Sequence, residues 1–367
     1  MEKSLFIKWV QKFFPGIIVR TVETLNDKKG ALKYLHTTML KPTFSVTGKW
    51  ENLSASFSLV AADIVAMDSS LPLKTRDAIA TASGNIPKQG IELALNESEL
   101  TALDTLIASG ATNGQVIAKL FADTPRAIGA IYERNELIFL QGISTGLALV
   151  DDPENVGTGI RCDYQYKDEN KFGVNVAWSD PATAKPLDDI KKVIDKAKQD
   201  GNTITKVLID SNTLNQIADS EQARSFFMAG NGTLVADVSL IPSLDEAQVN
   251  ALMLKRFKFQ FETVDRTVKV ERNGKRSTIT PFAAGALVFI TSNQVGELVY
   301  ARLAEENHKQ AGVEYQKANE YILVSKFRNT TPSLKEVTRA QARVVPVITA
   351  IDEIYLMDSK KVNPPTT

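Results

Sequence analysis

The chain is short of the side chains from which most enzyme sites are made. Of 367 residues, one is a cysteine (Cys162) and two are histidines (His36 and His308). A single thiol excludes an intrachain disulfide framework and fits synthesis in a reducing cytoplasm. A zinc site of the usual nitrogen and sulfur type would have to be built mostly from carboxylates, and a Ser/His/Asp triad would have to use one of the two histidines. His308 sits among Glu305, Glu306 and Lys309 and reads as solvated, His36 lies beside Thr37 and Thr38, and Cys162 has no histidine nearby in sequence to activate it. Net charge is missing too. Lys plus Arg total 43 against 43 for Asp plus Glu, so no long-range field draws the chain to nucleic acid or to an anionic membrane. No apolar run approaches the roughly twenty residues of a membrane-spanning helix.

Phosphate-binding loops are absent as well. Gly274-Lys275 lacks the upstream glycine and the following threonine position that would gather backbone N–H groups around a phosphate, and Gly230-Asn231-Gly232 has no third glycine. The carboxylate pairs Asp151-Asp152, Asp188-Asp189 and Glu305-Glu306 fall in turns or at helix starts, where solvent or the helix dipole accounts for them. The inventory points away from an enzyme, with no catalytic set, metal or cofactor expected.

What is present is an ordinary soluble composition, 43% apolar and 23% charged, with length for two or three domains and a substantial core. The first fourteen residues place Leu5, Phe6, Trp9, Val10, Phe13 and Phe14 among Lys3, Lys8 and Lys12, an amphipathic helix expected to dock on its own or a neighbouring subunit. Pro15-Gly16 is expected to stop it, with Ile17 to Val22 extended. From Phe44 to Asp123 the chain reads as a long two-stranded ribbon, Ser54 to Asp68 going out and Ile86 to Leu95 coming back, then a helix from Asn96 with Glu99 completing a capping box. Phe57 and Leu59 alternate with serines, and Ile91 and Leu93 alternate with Glu92 and Ala94. Period two gives one apolar and one wet face. An isolated two-stranded ribbon is marginal in water, so this arm needs a neighbour, and the nearest at hand is another copy of the chain.

Beyond the ribbon, Asp123-Thr124-Pro125 opens a helix of about twenty residues, roughly 30 Å long. Turns and short strands follow to Pro186, with Trp178 as an anchor. Leu187 to Asp200 reads as a helix, Lys206 to Asp210 as a strand, Ser211 to Phe227 and Asp245 to Leu252 as helices. Phe257, Phe259 and Phe261 begin a long hairpin closed at Asn273-Gly274. Ala286 to Thr291 reads as a buried strand, Gly296 to Ala311 as helix or loop, and Tyr321 to Phe327 and Arg343 to Met357 as closing strands.

That order of parts resembles the major capsid proteins of tailed bacteriophages with the Hong Kong 97-type fold, and within them the lambda major capsid protein E family. The residues that carry the resemblance are Asp123-Thr124-Pro125-Arg126, Lys206-Val207-Leu208-Ile209-Asp210, Val270-Glu271-Arg272-Asn273-Gly274-Lys275 with Pro281, Val344-Val345-Pro346-Val347 and Ile354-Tyr355-Leu356. It implies an α+β fold. An N-terminal arm would cover 1–44 and an extended loop with its following short helix 45–110. A peripheral domain with the spine helix would take 111–186 and 321–358, an axial domain 187–320, and a flexible tail 359–367. It implies a shell protein that assembles with itself as pentamers and hexamers into an icosahedral capsid around double-stranded DNA, without sequence-specific DNA binding and without a membrane, in the host bacterial cytoplasm. Because the chain enters its arm almost at once, the resemblance implies a separate scaffolding protein, a portal, and room for a decoration protein. Residues expected at contacts between subunits are Phe57, Leu59, Ile64, Ile91 and Leu93 on the apolar face, with Lys74, Arg76, Asp77 and Lys88 setting register through exposed pairs. An encapsulin-type nanocompartment shares the fold and is the alternative; a soluble enzyme is the reading from a different class.

Overall fold

The computed structural model describes residues 2–27, 34–54, 80–150, 160–230, 232, 241–272 and 274–363. Helix α1 (Ile7–Asn26) runs straight through Pro15 and Gly16, so the expected stop and the extended piece after it do not occur. The apolar stripe decides this. Val10, Phe14, Ile18 and Thr21 keep helical spacing across the proline and are all buried, and a face that continues to bury itself outweighs one lost backbone hydrogen bond. α2 (Leu35–Met39) leads into β1 (Leu40–Phe44). Next come β2 (Lys49–Ser54) and β3 (Ala80–Asn85), paired antiparallel from Lys49↔Asn85 to Ser54↔Ala80.

The returning half of the expected ribbon is displaced. Pro87 lies outside any strand, and β4 (Lys88–Leu95) leaves β3 to pair with a strand near the other end of the chain. α3 (Glu97–Ala108) has the expected capping box between Asn96 and Glu99. Gly110 takes a left-handed φ of 77°, and a helix not expected from sequence follows, α4 (Asn113–Leu120). The spine is α5 (Asp123–Thr145), 23 residues in which Ile128, Tyr132, Ile138, Phe139, Leu140 and Ile143 are wholly buried.

β5 (Leu147–Val150) and β6 (Ile160–Asp163) form a hairpin, and β7 (Lys171–Val174) precedes Trp178, which is buried with its indole N–H donating to Asp189. α6 (Pro186–Gln199) and β8 (Lys206–Ile209) fall where expected. The next helix is two, α7 (Ser211–Asp219) and α8 (Glu221–Gly230), with Asp210 rather than Ser211 as the first cap. α9 (Glu246–Phe257) is capped by Asp245. The long hairpin is also divided. β9 (Gln260–Thr263) pairs parallel with β8, and only β10 (Val268–Arg272) and β11 (Lys275–Ile279) form the hairpin, on either side of Asn273-Gly274. β12 (Ala286–Ile290) is fully buried, and β13 (Gly296–Tyr300) occupies the stretch read as helix or loop, followed by the single turn α10 (Ala304–Asn307). β14 (Glu314–Ala318) and β15 (Ile322–Asn329) precede β16 (Lys335–Ile348) and β17 (Ile354–Val362).

Among the described residues, two larger sheets organise these elements. The first runs β1-β13-β16-β15-β14, with β4 also on β16; the second runs β7-β17-β12-β8-β9. The spine, α1 and the first sheet share one apolar core, while α6 to α9 and one face of the second sheet share another. The Arg343 to Met357 run thus supplies strands to both sheets, and β17 continues to Val362, into the stretch read as a tail.

Under the first sheet lies a buried lysine. Lys326 is inaccessible to solvent, its amine donating to the Leu120 carbonyl at 3.1 Å and to Thr338 Oγ1 at 3.0 Å above the Phe121 ring. Glu336, also inaccessible, accepts from the Leu5 N–H at 3.3 Å, and Glu2 bridges to Arg328 beside it, fastening the first residues to the sheet. Burial outweighs the attraction of Glu336 and brings the Lys326 amine down from 10.5 to about 8. The unfolded chain holds that proton to about 10.5, so between the two values it binds more protons than the folded chain, and stability at this site rises with pH. Relative to Lys326→Met, the native chain is expected to gain roughly 2 kcal/mol between pH 8 and pH 10. Urea unfolding of both chains across that range measures it, and a difference that does not change with pH would contradict the assignment.

Candidate assembly surface

The ribbon leaves the body at Ser45 to Gly48. The Ser45 N–H donates to the Tyr300 carbonyl at 2.8 Å, the last rung of β1 on β13. Gly48 turns the chain with a φ of 70°, and a Cβ there would stand 2.5 Å from the Arg343 guanidinium. Arg343 donates to both feet of the ribbon at once, to the Gly48 carbonyl at 3.1 Å and to the Ile86 carbonyl at 3.2 Å, while the Ile86 N–H donates to the Gly48 carbonyl at 3.0 Å. One side chain from the middle of β16 thereby sets the spacing of the two strands at their origin.

A second anchor is aromatic. Trp50 is 4% exposed and covers Gly84 so closely that a Cβ there would lie 2.7 Å from its indole nitrogen. Its ring packs on Tyr164, whose hydroxyl donates to the Pro346 carbonyl at 2.7 Å and whose ring edge lies where a side chain on Gly142 of the spine would have to go. Burial pushes the Tyr164 phenol well above its ordinary range, so it stays a donor. The ribbon root is bonded through Trp50 and Tyr164 to α5.

The segment before the ribbon is tied to the same helix. Glu136, wholly buried, accepts from the Leu35 N–H at 2.9 Å, the His36 N–H at 3.0 Å and His36 Nδ1 at 2.5 Å. Tyr34 donates to Glu133 at 2.9 Å, and Arg266 stacks over the Tyr34 ring and pairs with the same carboxylate. His36 is therefore a structural lock, and Glu136 its receptor. Sequence reading missed both, although Asn135 and Glu136 stand in the apolar stripe of the spine, where a polar side chain must find partners.

Of the residues expected at subunit contacts, Phe57, Leu59, Ile64, Lys74, Arg76 and Asp77 lie outside the described residues. Lys88, Ile91 and Leu93 lie in β4. Lys88 is exposed and 3.8 Å from Glu305, and Ile91 and Leu93 are half-buried against the chain's own core. Exposed apolar groups gather at the ribbon root, where Phe44 is 43% and Val46 88% exposed beside Arg302. Among the described residues no three His, Cys, Asp or Glu side chains converge as a metal site, and Cys162 is buried, which pushes its thiol up to about 12 and leaves it unreactive. The geometry fastens β2 and β3 to the spine and the first sheet. Arg343→Met leaves the Ile86 carbonyl without its side-chain donor and the Gly48 carbonyl with the Ile86 N–H alone, and is expected to cost about 1–3 kcal/mol, and Trp50→Ala about 3 kcal/mol or more, with amide exchange accelerated first in β2 and β3. Exchange unchanged in those strands would show that the root is held by something else.

No curated protein matches the chain by sequence. Among solved structures, a protein assigned as the capsid protein of an E. coli CFT073 prophage matches with a TM-score of 0.56 at 11% identity, covering 94% of this chain and 98% of its own. A phage-related protein from Bordetella bronchiseptica RB50 matches with a TM-score of 0.52 at 10% identity, over 94% of this chain and 96% of that one. At such identities the likeness is one of fold, and the fold is the α+β Hong Kong 97 type of phage shells. The family described as phage major capsid protein E matches residues 47–357. With that family across most of its length and a capsid fold, the chain belongs to the phage major capsid protein E family, whose members are structural proteins of the virion shell and not enzymes.

Proposed function

We propose that the shell is icosahedral and built from pentamers and hexamers, and that the ribbon rooted at Arg343 and Trp50 reaches across to the adjacent subunit. The observation that carries this reading is that, among the described residues, β2 and β3 form a two-stranded sheet with no third strand, while their feet are fixed to the spine and the first sheet. Two strands alone are marginal in water. A rigid root supports an arm whose other contacts belong to a neighbour.

In this arrangement Phe57, Leu59 and Ile64 supply apolar area on the neighbour and Lys74, Arg76 and Asp77 set register, with exposed Lys88 beside them. Ile91 and Leu93 contribute through their own sheet, supporting the arm and not touching the next subunit first. The body built on α6 to α9 and the second sheet, mostly within 187–320, is the axial domain, and the body on the spine and first sheet the peripheral domain. Assembly takes place in the host cytoplasm with a separate scaffolding protein and a portal, and the shell encloses double-stranded DNA without reading its sequence, in keeping with the chain's balanced charge.

The test is confined to residues 55–79, because 80–95 belong to β3 and β4. Replacing 55–79 by a short Gly-Ser turn is expected to leave melting of the subunit within a few degrees of native and to abolish closed shells, scored by electron microscopy and sedimentation. Normal shells from that variant would remove the ribbon from assembly.

A further inference from the structure

Charge in this chain is balanced overall but not locally. From Lys3 to Val22 the sequence has Lys3, Lys8, Lys12 and Arg20 and no acid, and from Gln89 to Ala118 it has Glu92, Glu97, Glu99 and Asp104 and no base. The structure turns the first stretch into α1, whose inner face is buried in the core. Its outer face carries Lys8, Lys12, Gly16, Val19 and Arg20, with Glu23 following Val19 toward its carboxyl end, all exposed, with Val19 at 57%, and a Cβ on Gly16 would touch nothing. The second stretch becomes α3, on which Glu97, Glu99 and Asp104 are exposed. None of Lys8, Lys12, Arg20, Glu97, Glu99 or Asp104 makes an ion pair among the described residues, whereas Glu92 is already paired with Arg339.

Lys8 and Lys12 also stand in the wrong half of their helix. The amino end of a helix carries partial positive charge, so Lys8, in the first turn, weakens it, while Lys12 lies just beyond that turn. No acid occupies the first turn of α1 to compensate. A local choice that works against its own element has its compensation elsewhere. The amino-terminal half of that face carries Lys8 and Lys12 and no acid and calls for a negatively charged surface, and the chain carries one on a different part of its own exterior. Two different patches on one subunit that fit each other make a heterologous contact, the kind that closes rings.

We infer that the outer face of α1 docks on the α3 face of a second copy of this chain, Lys8 and Lys12 meeting Glu97 and Asp104. The inference rests on the self-assembly reading above and names a contact distinct from the ribbon. It is tested with two charge-reversed chains, Lys8→Glu with Lys12→Glu, and Glu97→Lys with Asp104→Lys; Glu99 is kept because it closes the α3 cap. The first pair of changes favours the α1 dipole, so that chain is expected to melt no lower than native, yet to need at least about tenfold more protein to assemble. The second is expected to be equally defective. Mixing the two defective chains should restore assembly through rings of even number, in which the two chains alternate, and adding salt to native protein should weaken it.

Each result separates the possibilities. If the native chain assembles and both reversed chains assemble at the same concentration, the contact does not exist, while assembly by other surfaces stands. If the reversed chains fail singly and a chain carrying all four changes assembles but the mixture does not, the charges act within one subunit and the docking is overturned. If only the α1 reversal is defective, and it loses DNA retention in the shell and not shell formation, the cationic face meets nucleic acid instead. A native chain that forms no assemblies in the same assay would count against the self-assembly reading, and the docking would fall with it.

Discussion

Strand β16 exchanges its neighbours halfway along, and most of the architecture follows from where it does so. Residues 335 to 343 lie between β15 and β4, and residues 344 to 348 run beside β13. A backbone ladder cannot slip by one residue without turning every side chain to the opposite face, so β16 fixes β4, β13 and β15 relative to one another. β1 then takes its place on β13. The exchange point is Arg343, whose guanidinium reaches the two strand feet, and Val344, whose carbonyl accepts from Gln89 at 2.8 Å while the same amide reaches Asn135 of the spine. The positions of β2 and β3 on the body are thus set by the most constrained part of the sheet.

Local chemistry was legible at several element ends, though the Thr112–Gln115 cap that opens α4 was overlooked. The caps Asn96 with Glu99 and Asp245 with Gln248 place their helices, and Asn273-Gly274 places a hairpin, because in each case neighbours within four residues supply the determining hydrogen bonds. The other failures share a cause. Whether α1 survives Pro15 depends on what its buried stripe meets, including Phe121, whose ring stacks on Phe14. β13 reads poorly because Gly296 is there for a backbone approach, its Cβ position lying 2.1 Å from the Val347 carbonyl oxygen. β9 and β4 were each assigned to the nearest strand in sequence, but their partners are β8, some fifty residues upstream, and β16. Non-local pairing leaves no local signature. The family order of parts was readable even so, because it depends on the sequence of element types and not on which strand finds which.

The assembly surface was less legible than the fold. His36 looked like one more polar residue of an arm, and only the buried carboxylate of Glu136 gives it a role. The expected contact list mixed two kinds of residue, those beyond the root and those in β4 whose apolar side chains serve the subunit's own core. Alternation of apolar and polar residues reports that a strand has a covered face. It does not report whether the cover belongs to the same molecule, since a half-buried strand looks alike in either case.

A shell subunit faces two requirements that pull in opposite directions. Closed particles need large apolar contacts to hold, and such contacts, once formed in the wrong register, separate slowly because interface differences are expressed mainly in dissociation. Charges act earlier and at longer range. At physiological salt they reach about 8 Å, orient an approaching partner before apolar surfaces touch, and are weak enough individually to let a misplaced copy leave. Under the proposed docking, placing Lys8 and Lys12 on α1 and Glu97 and Asp104 on α3 while keeping the sum at zero satisfies both requirements. Like faces repel, unlike faces attract, and the finished shell accumulates no net charge with each subunit added. A mixed distribution of the same side chains would have the same net charge and no direction.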